Sequence, residues 1–188
     1  PADLCATVGG RDSALLRCCD GGDHQGVDQW LTLGADANHA DHGPERRTPL
    51  MACAARGDVQ LARVLLATGR CQVDARDRRG RTALFRATEA CADARTRPTE
   101  ASSRRDVAAL LLREKANPLA LDARDRSPMS VAAADARDAR LVAMMLGYDK
   151  TVDVDAPHGP LKSTPLMLAA ALPEASAVLR TLLGAHDH

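Results

Sequence analysis

The sequence predicts an all-α fold, a solenoid of stacked helix-turn-helix units. Three observations lead there. The stretch from Thr48 to Gly69 reads as two short amphipathic helices, copies of it recur along the 188 residues, and aromatic residues make up only 2% of the chain. Helices packed through Ala, Leu and Val need few aromatics, and a single helical hairpin cannot bury its apolar face without copies stacked on it.

The unit itself follows from local chemistry. Thr48 suits an N-cap and Pro49 the first helical turn, where a missing N–H costs nothing. Leu50, Cys53 and Ala54 then share one face, and Gly57 ends the helix. A second helix turns Leu61, Ala62, Val64 and Leu65 inward, with Gly69 in the usual C-terminal glycine position. The Thr-Pro-Leu opening, Gly57 and the Leu65-Leu66 pair resemble the ankyrin repeat, whose signature is Thr-Pro-Leu-His-x-Ala, then a Gly and a Leu-Leu pair, at a period of about 33 residues. The resemblance implies β-hairpin fingers between the helical pairs, and a module that binds partner proteins through its finger tips and the exposed, concave face of its first helices.

Taken in order, residues 1–38 form the first repeat. Ala2 to Ala6 match the end of a preceding repeat in register, so the array is expected to extend before residue 1. Ser13 replaces the Thr of the motif and opens a helical pair through Leu15, Cys18, Gly22, Val27, Trp30 and Leu31 to Asn38. Residues 39–72 are the second repeat, entered by an exposed finger from Asn38 to Arg47 that is two residues longer than usual. Residues 73–116 are the third, with a finger over Asp74 to Arg81 in which Asp77 and Gly80 suit the turn. The starts at Ser13, Thr48 and Thr82 lie 35 and 34 residues apart.

The third repeat carries an insertion over residues 92–105. Its second helix is expected to resume only at Val107, and the inserted residues, polar and without apolar periodicity, read as a loop that is mobile and dispensable for folding. Function and tolerated decoration both remain open for it, since long surface insertions cost little. Residues 117–150 form the fourth repeat, opened by Ser127-Pro128-Met129, with Asp125 where the family places Gly and no Gly between its helices. Residues 151–188 form the fifth, opened by Thr164-Pro165-Leu166. One departure is consistent: the His of the motif is Leu16, Met51, Phe85, Ser130 and Met167 here. The whole is expected to be one ankyrin-repeat domain of about five repeats.

Charge is balanced overall but segregated: residues 1–41 carry −5, residues 42–126 carry +7 and residues 127–188 carry −2. Such asymmetry bears on partner choice rather than on fold. The six cysteines show no C-x-x-C spacing and no paired histidines at zinc-finger distance. Cys18 and Cys53 occupy small core positions and read as reduced core thiols, which implies an intracellular location, in the cytoplasm or the nucleus. No signal peptide and no membrane-spanning apolar run stands out.

Neither a phosphate-binding glycine loop, an H-E-x-x-H pair nor a nucleophile elbow occurs, and the six histidines fall mostly in fingers or at the end of the chain. No enzyme activity, cofactor or metal is expected, and His186 and His188 read as a frayed terminus. The zero net charge and scarce aromatics argue against nucleic acid. The expected function is a monomeric protein-interaction module whose partner is a protein or peptide, acidic or phosphorylated. The alternative is a regulatory or targeting domain of a larger enzyme or channel. Carried onto this sequence, the binding positions implied by the resemblance are Arg46, Arg47, Arg78, Arg79, Arg81, Arg124, Arg126 and Lys162 on fingers, with Arg56, Arg86 and Glu89 on first helices.

Overall fold

The computed structural model describes residues 8–92, 97–134 and 138–148, together with Thr164, Met167 and Ala170. Its helices run α1 Val8–Gly21, α2 His24–Thr32, α3 Pro49–Arg56, α4 Val59–Ala67, α5 Ala83–Ala92, α6 Pro98–Arg113, α7 Pro128–Ala134 and α8 Ala139–Tyr148. They pair as α1/α2, α3/α4, α5/α6 and α7/α8. The odd-numbered helices stack in one layer, α1 on α3 on α5 on α7, and the even-numbered in a second, α2 on α4 on α6 on α8. The expected ends of the array, Ala2 to Ala6 and most of the fifth repeat, lie outside the described residues.

The second repeat forms as its residues dictate. Thr48 sits extended and accepts the Met51 N–H, Pro49 occupies the first turn, and Gly57 closes α3 at φ 81°, a left-handed conformation that costs Gly little. Asp58 then caps α4 by accepting the Leu61 N–H at 3.0 Å. The same aspartate cap recurs one repeat earlier, where Asp23 accepts from Gly26, and two repeats later, where Asp138 accepts from Leu141. Leu61, Leu65, Leu111 and Leu141 are fully buried between the layers. Cys53 is buried as expected, but its partner in the core is Cys19; Cys18 is half-buried and packs beside Gly26.

Where the motif has His, apolar packing has replaced it at Leu16, Met51 and Phe85, all of them buried. Ser130 instead makes reciprocal bonds with Ser127, accepting the Ser127 N–H while its own N–H reaches the Ser127 hydroxyl. Met167 is 62% exposed.

Three expectations are corrected. Ser13 does not open α1: the helix starts at Val8, because Ala14 stands where Pro49 stands in the next repeat and nothing forces the preceding residue out of helical geometry. The fingers carry no strand among the described residues. They are tight turns, in which Asp77 N–H donates to Arg81 O and Gly80 N–H to Asp77 O, and Asp122 N–H likewise to Arg126 O.

The third correction concerns residues 92–105, which are not a loop throughout, since α6 begins at Pro98 and runs unbroken to Arg113. Pro at the first helical position and Glu100 in the first turn favour a start there. Asp106, which would cap the helix in an uninterrupted repeat, becomes an exposed residue on its flank. The added turns are fastened to the array. Arg104 Nε donates to Ala55 O and its Nη1 to Ala90 O, each at 3.0 Å, so one guanidinium binds last-turn carbonyls of both α3 and α5. Arg105 pairs with Asp138, the cap of α8. Gly57 makes the approach possible, because a Cβ there would meet Arg104 Cγ at 2.9 Å.

Candidate functional site

The fingers line up along one edge because each is tied to the next through its backbone. Arg78 N–H donates to Glu45 O at 2.8 Å, and Ala123 N–H to Arg79 O at 2.7 Å. Each turn is built on one aspartate. Asp77 accepts the N–H groups of Arg79 and Arg81 and the Arg81 Nε, and Asp122 accepts the equivalent groups of Arg124 and Arg126. Asp41 does the same more loosely in the longer first finger, accepting the Arg47 N–H at 2.9 Å. Asp125, in place of Gly, holds φ 57°, which Asp tolerates better than most residues because its short polar side chain bonds locally.

This geometry divides the basic residues into two groups. Arg81 is only 3% exposed. Its guanidinium lies 2.9 Å from Asp77, 2.9 Å from Glu89 and 3.0 Å from Glu45. Burial opposes its charge, yet Asp77, Glu89 and Glu45 outweigh that and hold its pKa above the ordinary value. Arg86 shares Glu45 at 3.1 Å. Arg126 pairs with Asp122 at 3.0 Å, approaches Glu89 at 3.8 Å and lies over the Phe85 ring, 5.3 Å from its centroid. Arg79 reaches Glu45 at 3.6 Å. Four carboxylates and four guanidiniums thus form one network spanning three fingers and α5.

Arg81 as a surface residue is therefore corrected: it holds the fingers together from inside. Glu89, Arg86 and Arg126 are half-buried members of the same network, and Arg47 is half-buried between Asp20 and Asp41. Arg56 is exposed on the first-helix layer, with Nη1 donating to Asp20 O at 2.8 Å. Arg46, Arg78 and Arg124 are exposed, and none of the three makes an ion pair among the described residues. Lys162 lies outside the described residues.

Sequence reasoning missed the structural role of Glu45, whose position in an enlarged finger gave no hint that it would bridge to the next repeat. It missed Arg104 because a polar insertion without apolar periodicity gives no sign of which side chain packs on the array. No feature of the sequence singles them out: Glu45 shares its finger with Asp41, and Arg104 shares its insertion with Arg105, which pairs with Asp138.

Burial favours the protonated thiol at three of the cysteines. Hydrogen bonding to Cys19, with burial, raises the Cys53 pKa, and burial pushes those of Cys71 and Cys91 up to about 11. Among the described residues no group of His, Cys, Asp or Glu side chains is arranged to hold a metal ion, and no helix is long and apolar enough to cross a membrane.

Residues 15–95 match the family model for ankyrin repeats (3 copies). The matched span runs from within α1 to just past α5, and α6, α7 and α8 continue the same two-layer stacking beyond it. No curated protein matches the chain.

Proposed function

We propose, since this is an ankyrin-repeat protein over residues 15–95 and ankyrin repeats are generally protein–protein interaction modules, that the chain binds an acidic or phosphorylated segment of a partner protein along its finger edge. The single array would run through about five repeats over residues 1–188. The observation that carries the reading is the row of Arg46, Arg78 and Arg124 on successive fingers, exposed and without acidic partners among the described residues, beside a network whose own charges are matched.

Arg suits this task because its planar fork offers two parallel hydrogen bonds to a carboxylate or phosphate. Isolated exposed ion pairs contribute only about 0–1 kcal/mol, so affinity requires several fingers acting together. The spacing that the cross-finger bonds enforce serves that condition, because the finger backbones are already ordered and only the arginine side chains lose freedom on binding. Arg56 and the exposed side of the first helices border the same edge and would contact flanking residues of the partner.

An array of immobilised peptides of acidic, phosphorylated, neutral and basic composition tests the reading. Acidic or phosphorylated members are expected to retain the protein, with retention falling as salt rises, since exposed charges are screened over about 8 Å at physiological ionic strength. Arg78→Glu combined with Arg124→Glu should abolish that retention at an unchanged melting temperature. Retention by neutral or basic peptides alone, or binding indifferent to salt, overturns it.

A further inference from the structure

A cleft of about 510 Å³ opens between the first and second fingers, walled by Asp36, His39, Asp41, His42, Arg46 and Arg78. Its acidic groups are largely engaged by the chain itself. Asp41 accepts the Arg47 N–H and faces Arg47 Nε at 3.5 Å, and Asp36 accepts the Asn38 N–H at 2.8 Å. Its donors are not. Arg46 and Arg78 make no ion pair among the described residues. His39 keeps Nε2 buried with no hydrogen-bond partner there, while its Nδ1 lies 3.7 Å from Asp12.

A second observation points to the same spot. Arg46 holds φ 53°, a left-handed conformation that disfavours a residue with a long side chain, and it is kept there by the turn whose Gly43 O accepts its N–H. Gly at position 46 would relieve that strain, so an arginine there costs stability while contributing its side chain to the cleft lining. Strain of this kind is characteristic of ligand clamps.

From the unmatched donors and the strained arginine together, we infer that this cleft is the anion subsite of the finger edge, receiving one carboxylate or phosphate monoester of the partner between Arg46 and Arg78. The inference rests on the binding reading above and narrows it to two fingers. The anion supplies an acceptor on the His39 side of the cleft, and the guanidiniums of Arg46 and Arg78 are both taken up by that one anion. The subsite therefore takes one acidic side chain, and neighbouring acids of the partner meet Arg124 further along.

Fluorescence anisotropy with two labelled peptides tests this: a hexaglutamate and a neutral peptide bearing one phosphoserine. The Arg46→Gly variant is chosen because it removes the guanidinium while relieving backbone strain, so its melting temperature should stay level or rise. Combined with Arg78→Ser, it should weaken binding about tenfold, the loss of a charge-assisted bonding pair. Arg63→Ser with Arg140→Ser, remote on α4 and α8, should leave binding unchanged. Loss confined to the phosphoserine peptide assigns the site to phosphate, and loss confined to hexaglutamate assigns it to carboxylate. If the wild type binds and Arg46→Gly/Arg78→Ser binds equally well, the subsite is wrong while the finger-edge reading stands. If the wild type binds neither peptide, both fail.

Discussion

Arg104 offers the most direct check on how the third repeat is held. Its side chain is 15% exposed, and it donates one hydrogen bond to the end of α3 and another to the end of α5. Carbonyls in a last helical turn lack intrahelical partners and sit at the negative end of the helix dipole, so a cation there is favoured twice over. A hydrogen bond involving a charged group contributes about 1.5–3 kcal/mol. Truncation to Ala admits some water to both carbonyls near the surface, so Arg104→Ala is expected to cost about 2–4 kcal/mol rather than the full value of both bonds. Urea denaturation followed by circular dichroism measures it. Arg104→Lys should recover only part of the loss, because an ammonium has no planar fork with which to reach two separate carbonyls. Replacing residues 98–103 by a Gly-Ser linker should lower both helicity and midpoint. A loss below about 0.5 kcal/mol for Arg104→Ala, the range of ordinary surface changes, would refute the view that the extended α6 braces the first-helix layer.

Leu65→Ala and Leu111→Ala, each at a fully buried position, should cost about 2–5 kcal/mol apiece in the same assay; two unchanged midpoints would contradict the packing of α4 and α6. The acid limb of stability should report the finger network. Burial alone raises the Glu45 carboxyl pKa, but Arg86, Arg81 and Arg79 outweigh it and hold it below the ordinary value. Asp122 is likewise held low, despite burial, by the Arg126 and Arg124 N–H groups and the Arg126 guanidinium. A carboxylate whose pKa falls on folding stabilises fully above its unfolded value and ceases to as the pH drops through its folded value. Stability should therefore be level above about pH 5 and fall below about pH 4. Glu45→Gln should make that fall shallower, and an identical acid limb in this variant would count against the network.

Much of the second repeat was legible because every cue there is local. Thr48, Pro49, Gly57 and Asp58 act within three or four residues of themselves, and the apolar spacing of Leu61 and Leu65 names the buried face without reference to any neighbour. The insertion was misread for the opposite reason. Its polar composition gives no helical period, and what orders it is a contact from Arg104 to carbonyls 49 and 14 residues away, backed by the space that Gly57 leaves open. Ser13 failed as a helix start because the residue after it, not Ser itself, decides whether the chain can continue helically on the N-terminal side. Cys18 and Cys19 are adjacent, and a shift of α1 by one residue exchanges which of them faces the core.

The candidate site shows a different limit, because charge counted along the chain ignores which groups meet in space. Residues 42–126 carry an excess of seven basic side chains, which by itself suggests a continuous basic ridge. Folding sets Glu45, Asp77, Glu89 and Asp122 against Arg79, Arg81, Arg86 and Arg126. That part of the edge is electrically neutral. A buried pair such as Arg81–Asp77 at the centre of this network adds little stability over well-packed apolar side chains, but breaking it from one side leaves a charge uncompensated at about 3–5 kcal/mol. Arg81→Glu would thus unfold the fingers, and lost binding in that variant would say nothing about contact with a partner. The residues able to report on recognition are those that the network leaves out, Arg46, Arg78 and Arg124. Since they are few and fixed in spacing by the cross-finger bonds, the edge should discriminate among acidic partners by the distance between their charges rather than by how many charges they carry.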